Sequence, residues 1–396
     1  MKIMIVFGTR PELIKFVPVI YTLRKYHDLV VVHSRQHEEL TDDLLDFFEI
    51  KPDYFAPDMV SISEDKTRQF RYEGDLPRIM RLEKPQLALV QGDTLTAFLG
   101  AFVAFSLHIP ILHLEAGLRT GDRFAPYPEE ALRMMITQIS DFHFAHTCLA
   151  ARNLVKEGIS GNRIFVTGNT VIDATLLTLK LIEEKPVHKI LNATFPGLKA
   201  QSPIEDLVLI TAHRNENIGK PLENICDAVK QLCVSYPELS FVWLIHRNPK
   251  VREIVLRKFS DTLVNFCVIE AITYPKMVYL MSKARCVLTD SGGIQEEATA
   301  LNTPIMILRE QTERPEVLSA AQAYLVGNNV GLICNSFAKL IKQPRSNELK
   351  PSPYGDGKTA LRLLRFLESR QMQEFIQNYP DSGNMVFTSP ETWLEI

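Results

Sequence analysis

No apolar run in the 396 residues approaches the length of a membrane-spanning helix. A helical membrane protein is therefore excluded. Net charge is also scarce: the formal value is −3 with histidine neutral. The chain as a whole thus offers no field to draw nucleic acid or an anionic membrane, and any anionic ligand must be held by a local site. Cysteine appears six times, at 148, 226, 233, 267, 286 and 334, with no C-x-x-C pair and no histidine at metal-site spacing. These thiols read as small buried hydrophobes in a reduced, cytoplasmic setting. There is no P-loop, no Gly-x-Ser-x-Gly elbow and no Gly-x-Gly-x-x-Gly, so neither a bound dinucleotide nor a tightly held metal is expected, and no cofactor. The opening run Met1–Phe7 lacks a small-residue cleavage site and reads as a first strand, not a signal peptide.

What is present is alternation. Apolar residues make up 46% of the chain and charged residues 23%, ordinary for a globular protein of a length that favours two domains. Short apolar runs alternate with helix-periodic segments. The first strand series is Ile3–Phe7, Leu29–His33, Leu87–Val90, Ile111–Leu114, Phe142–Ala145 and Ile164–Thr167. The second is Leu207–Thr211, Phe241–Ile245, Phe266–Ile269, Val287–Thr289, Ile305–Leu308 and Tyr324–Val326. This pattern predicts an α/β protein of two doubly wound, Rossmann-like domains with parallel sheets. We expect residues 1–169 in the first domain and 170–358 in the second. A polar loop follows near Lys185–Pro203. Residues 359–396 form a helix packing back on the first domain, and a loose tail from Asn378.

Ligands in such folds bind at the carboxyl ends of strands, and the unusual polar clusters fall there: Gly8–Glu12, Gln91–Thr94, His113–Gly117, Ala212–Arg214, His246–Asn248 and Asp290–Ser291. Taken singly, each is an ordinary loop or cap; six on the same edges indicate a site. In Cys286–Glu297 a strand ends in Asp290-Ser291-Gly292-Gly293 and a helix opens at Ile294. That junction offers free N–H groups and glycines that let an anion approach. Glu296 and Glu297 are expected in the first helical turn, either complementing its dipole or gripping hydroxyls such as a ribose's. Arg10 and His213 suit a pyrophosphate, whereas Lys15 reads on spacing as a solvated helix lysine. Asp93, Glu115 and Glu129 or Glu130 supply carboxylates. Several such acids in one partly buried cleft would raise one another's pKa and so serve proton transfer. The Glu129–Glu130 pair equally suits a helix start.

The motifs in order are Phe7-Gly-Thr-Arg-Pro-Glu12 with Lys15, Gly92-Asp-Thr94 and His113-Leu-Glu-Ala-Gly-Leu-Arg-Thr-Gly121. Pro128-Glu-Glu130, Thr167-Gly-Asn-Thr-Val-Ile-Asp173 and His213-Arg214 with Glu216-Asn217 follow. The last are Asp290–Glu297 and Thr312-Glu-Arg-Pro-Glu316. Together, over roughly residues 2–330, they resemble the non-hydrolysing UDP-N-acetylglucosamine 2-epimerases. The resemblance implies the GT-B fold, with the active site in the cleft between its two domains. It also implies interconversion of UDP-N-acetylglucosamine and UDP-N-acetylmannosamine through anti-elimination of UDP to 2-acetamidoglucal and re-addition, and a homodimer. By position, Asp93, Glu115, Glu129 and His213 match the catalytic set. Arg10, Lys15, His213, Ser291, Gly292, Gly293, Glu297 and Arg314 match the UDP contacts, with Glu297 assigned to the ribose. Some bacterial members bind a second UDP-N-acetylglucosamine as activator, and Gln36, Arg214 and His246 lie near the matching region.

The chain departs from the family pattern at Gln91 (often histidine), Leu132, Asn215 and Ala321. The alternatives these leave are a hydrolysing epimerase, a C2 epimerase of a modified UDP-sugar, a GT-B glycosyltransferase and a UDP-sugar-binding protein without catalysis.

Overall fold

The computed structural model describes residues 1–36, 41–62, 68–70, 74–184, 206–260, 263–319, 323–343 and 352–379. The expectations for the loop near 185–203, for Ala321 and for the tail beyond 379 lie outside the described residues. Two compact units emerge: Met1–Ala174 with the described residues from Tyr354 onward, and Thr175–Pro353. Among the described residues no helix is long and apolar enough to cross a membrane.

The strands of the first unit are β1 (Lys2–Phe7), β2 (Asp28–His33), β3 (Tyr54–Phe55), β4 (Val60–Ile62), β5 (Arg68–Phe70), β6 (Leu87–Gln91), β7 (Ile111–Ala116), β8 (Phe142–Ala145) and β9 (Ile164–Val166). Seven form one parallel sheet in the order β3-β2-β1-β6-β7-β8-β9, while β4 and β5 pair separately and antiparallel. The second unit carries β10 (Leu207–Thr211), β11 (Ser240–Ile245), β12 (Phe266–Glu270), β13 (Cys286–Thr289), β14 (Ile305–Ile307) and β15 (Ala323–Leu325). Their parallel order is β12-β11-β10-β13-β14-β15. Every strand expected from the sequence is present. The unforeseen ones, β3 and the β4–β5 pair, are two or three residues long, too short to show a period.

A parallel sheet is covered on both faces, so its central strands are continuous apolar runs. Every residue of β10 and β11 is buried, whereas the edge strand β12 is only half-buried. In the first unit the helices Thr359–Leu367 and Arg370–Asn378 return to the sheet through aromatic contacts. Phe366 and Phe375 lie edge-on to Phe142 with centroids 5.1 and 4.9 Å away, and Phe366 also meets Phe144 at 5.2 Å. Each such pair contributes about 0.5–1.5 kcal/mol beyond its buried area.

Both sheets reverse strand order at one point, between β1 and β6 in the first and between β10 and β13 in the second. Loops at such switch points diverge to opposite faces and leave a crevice at the strands' carboxyl ends. The loops concerned are Gly8–Thr9 and Gly92–Thr94 in one unit, and Ala212–Arg214 and Asp290–Ser291 in the other.

Candidate functional site

In the first unit β1 ends at Phe7 and Thr9 caps the helix Arg10–Leu23. Glu12 closes a reciprocal capping box: the Thr9 backbone N–H and hydroxyl donate to its carboxylate at 2.9 and 2.7 Å. Gly8 N–H adds a bond at 3.2 Å. The Thr94 hydroxyl, from the loop after β6, donates at 2.6 Å. Glu12 thereby joins the two switch-point loops. Burial pushes its pKa up to about 7 despite these donors. Gly8 has no alternative here, since a Cβ would stand 2.0 Å from Ser34 Oγ.

The next loop holds Asp93 after Gly92, whose φ of +70° favours glycine. His113, on the neighbouring strand, meets the Gly92 carbonyl oxygen at 2.7 Å. Burial lowers its pKa to about 4, so the imidazole is neutral and its Nε2–H donates. Asp93 itself is paired with Arg133, which also donates to Glu130 at 2.7 Å. Glu130, fully buried, further accepts the N–H groups of Thr120 and Gly121 at 3.0 and 3.3 Å.

Glu115 sits at an irregularity in β7, where register with β8 shifts between Leu114 and Ala116. Its φ of 59° lies in the left-handed region, which costs an L residue about 1–3 kcal/mol unless its surroundings hold it. A bulge re-aims the side chain out of the strand's alternation. Lys15 pairs with the Glu115 carboxylate, Gln91 Nε2 donates to it at 2.7 Å and Asn169 Nδ2 at 3.2 Å. Lys15 is thus paired and largely buried, with a side chain only 15% exposed, and not the solvated helix lysine its spacing suggests.

The acids are not bare: Asp93 pairs with Arg133 and Glu115 with Lys15, while the raised pKa of Glu12 comes from burial. Glu129 opens the helix Glu129–Ile139, half-buried and without a side-chain hydrogen bond among the described residues. Arg10 is the first residue of its helix. Gln36 is engaged behind the site, its amide oxygen accepting from Thr96 N–H and hydroxyl at 3.2 and 2.8 Å.

In the second unit Asp290 is fully buried at the end of β13. Its carboxylate accepts from His213 N–H at 2.9 Å, Arg214 N–H at 2.9 Å and Asn217 Nδ2 at 2.9 Å. One acid therefore fixes the whole loop after β10. His213 stacks on His246 with centroids 4.9 Å apart. Burial lowers its pKa further than Asp290 raises it, so His213 offers a neutral imidazole. The helix after Asp290 starts at Gly292 with Ser291 as N-cap, two residues before the expected Ile294. Glu296 and Glu297 consequently fall in the second turn and not the first. Dipole complementation fades beyond the first turn. Glu296 is instead consumed by Arg314, whose Nε donates to it at 2.5 Å in the interior. The Arg314 guanidinium lies across Gly292: a Cβ there would stand 2.5 Å from Nη1, with Arg214 Nη2 at 3.5 Å. Gly293 is open, its nearest neighbour being Glu297 Oε1 at 4.0 Å. Two guanidinium groups beside a helix N-terminus make an anion-binding corner.

Five contributors have no role assigned from spacing, although all but Arg133 fall within the clusters and motifs named above. Glu12 was legible, since Thr9-x-x-Glu12 is a capping-box pattern. Arg133 could have been found as the residue three after Glu130 on one helix. Asn169, Asp290 and Asn217 stand in motifs or strand-end clusters, but their partners lie 54 to 91 residues away in sequence, so spacing does not show the contacts.

Two parallel-sheet α/β units, with polar groups at both switch points, define an architecture of the GT-B class. The family model for UDP-N-acetylglucosamine 2-epimerase matches residues 22–368. The chain belongs to the UDP-N-acetylglucosamine 2-epimerase family. It is 40% identical to the UDP-N-acetylglucosamine 2-epimerase of Neisseria meningitidis over 372 residues, covering 93% of this chain and 99% of the relative. The crystal structure of a Neisseria meningitidis UDP-GlcNAc 2-epimerase bound to UDP-GlcNAc is similar with a TM-score of 0.80, at 38% identity over 93% of this chain and 99% of that one. That of Methanocaldococcus jannaschii, in complex with UDP-GlcNAc and UDP, gives a TM-score of 0.76 at 33% identity, over 93% and 99%.

Proposed function

We propose that this chain interconverts UDP-N-acetylglucosamine and UDP-N-acetylmannosamine without releasing free sugar. The observation that carries the reading is the pair of carboxylate–cation contacts at the carboxyl ends of β6 and β7, Asp93 with Arg133 and Glu115 with Lys15, in a chain of this family. The C2 proton is not beside a carbonyl, so its removal must be coupled to loss of UDP. A carboxylate among Asp93, Glu115 and Glu129 takes the C2 proton. The C–H electron pair becomes the C1=C2 bond as the C1–O bond breaks with its pair to UDP. Re-addition of UDP to C1, with a proton delivered to the other face of C2, gives the epimer. In this reading the N–H groups of the Gly292–Gly293 helix start, with Arg314, His213 and Ser291, hold the diphosphate, and Arg10 is a further candidate contact of the nucleotide. Glu297 takes the ribose hydroxyls, and Gln36, Arg214 and His246 are candidate contacts of a second nucleotide sugar.

Incubation with UDP-N-acetylglucosamine, followed by proton NMR, should show a new manno-configured UDP-sugar. Free N-acetylmannosamine with UDP would instead mean the hydrolysing reaction, and no change would end the substrate assignment. We also propose a homodimer in the cytoplasm, in keeping with six cysteines of which none is in a disulfide; light scattering at about 90 kDa, twice the chain mass of 45.0 kDa, would support the dimer.

A further inference from the structure

We propose that Asn169 is a positioning residue for Glu115, and that it ties this carboxylate to the segment by which the chain returns to the first unit. The inference rests on the reading of Glu115 as part of the reacting site.

Asn169 is buried and lies directly before the helix Thr170–Glu184. Its Oδ1 accepts Val171 N–H at 3.1 Å, in the manner of a helix cap. That bond fixes the amide's orientation: with the oxygen taken by Val171, the Nδ2 end must point away from the helix. It points at Glu115 Oε1, 3.2 Å away. Gln91 and Lys15 hold the other oxygen, Oε2. A carboxylate on a left-handed backbone is thereby gripped at both oxygens, which fixes its rotation as well as its place.

Asn169 is itself fixed from the far end of the sequence. Its N–H donates to the Tyr354 carbonyl at 2.7 Å. Beside it Gly168, with φ +88°, is packed so closely that a Cβ would lie 3.0 Å from that same carbonyl and 2.9 Å from Thr359 Oγ1. The Thr167 carbonyl accepts Thr359 Oγ1 at 3.1 Å and Arg362 Nη1 at 3.2 Å. The chain enters the second unit after Ala174 and re-enters the first at Tyr354. Both passages therefore meet at Asn169, and Asn169 meets Glu115.

The requirement is for an amide. Aspartate would still cap Val171 but could not donate to Glu115, and would set a second carboxylate against it. Serine would retain a cap oxygen but fall short of Glu115. The charged and titratable groups around Glu115 are Lys15 from the first helix, Arg133 with Asp93, and His113 from its own strand. All are present in both variants.

The test uses full-length N169D and N169S beside the wild type. Both should keep UDP affinity and KM within about threefold while kcat falls about tenfold to a hundredfold, as loss of one hydrogen bond to a charged group predicts. In N169D the acid limb of the kcat profile should also move to higher pH by roughly a unit or more, since a like charge raises a carboxyl pKa; in N169S it should move less. A purely structural role would lower stability without moving that limb. A carboxyl-carbon NMR titration of Glu115, its signal identified by loss in E115Q, gives the same shift without turnover. If wild type fails to epimerise yet Glu115 still titrates higher in N169D, the functional reading fails and the positioning stands. An unmoved Glu115 titration in N169D, or N169S turning over at the wild-type rate, overturns the proposal.

Discussion

Alanine at Gly292 and at Gly293 should change stability in opposite directions, although the two glycines are adjacent on one helix. At Gly292 the added methyl would meet Arg314 Nη1 at 2.5 Å and its Cζ at 3.0 Å. The arginine has no room to yield, because its Nε is held at 2.5 Å by Glu296, which is fully buried. Overpacking of this kind costs about 1–3 kcal/mol, and forcing the guanidinium off its buried partner about 3–5 kcal/mol. The gain in helix propensity offsets up to about 1 kcal/mol. G292A should therefore unfold about 3–7 kcal/mol more easily, and bind UDP more weakly because Arg314 is displaced. At Gly293 the nearest atom is 4.0 Å away, so the methyl costs nothing and propensity stabilises by up to about 1 kcal/mol. If a diphosphate rests on this backbone, the same methyl blocks it and UDP affinity falls tenfold or more. Trp243, fully buried in β11, reports unfolding of this unit in urea, and calorimetry measures UDP binding. G292A as stable as wild type, or G293A binding UDP at wild-type affinity, would refute the reasoning.

Glu296→Ala should cost about 3–5 kcal/mol of stability by removing the buried carboxylate that holds Arg314 Nε, whereas Glu297→Ala should weaken UDP binding more than Glu296→Ala does; calorimetry showing equal or reversed losses would remove the ribose role from Glu297. Glu12 makes stability depend on pH. Its folded pKa of about 7 exceeds the ordinary 4.5, so between these values the native state holds a proton that the unfolded chain has lost, and stability falls as pH rises. The contribution is about 3 kcal/mol over that window. The unfolding free-energy difference between wild type and E12Q should change by about that amount between pH 4.5 and 7, and a constant difference would contradict the burial argument.

The two sheets were legible because parallel strands covered on both faces must be continuous apolar runs, and Leu207–Thr211 or Phe241–Ile245 can be little else. Tyr54–Phe55 was not, because two residues carry no period. Acids at strand ends were legible as site candidates by the carboxyl-end rule; Asp93 follows β6 at the first switch point, and Glu115 lies near the end of the neighbouring β7. Their partners were less accessible. Lys15 is 100 residues from Glu115 and Arg133 is 40 from Asp93, so the sequence presents each as a separate charge. The start of the helix at Gly292 was misjudged because glycine has poor helix propensity. Here the closeness of Arg314 demands glycine in a helical position, and tertiary packing overrides propensity.

The central claim is tested most directly by incubating wild type and D93N with UDP-N-acetylglucosamine in D2O and following the sugar by proton NMR. The account predicts that wild type exchanges the C2 proton for deuterium as the manno signal grows. It also predicts that D93N, which keeps the shape of the Arg133 contact but loses the carboxylate, binds UDP while turnover falls by orders of magnitude. A manno product that retains the original C2 proton, or D93N turning over at the wild-type rate, would contradict it.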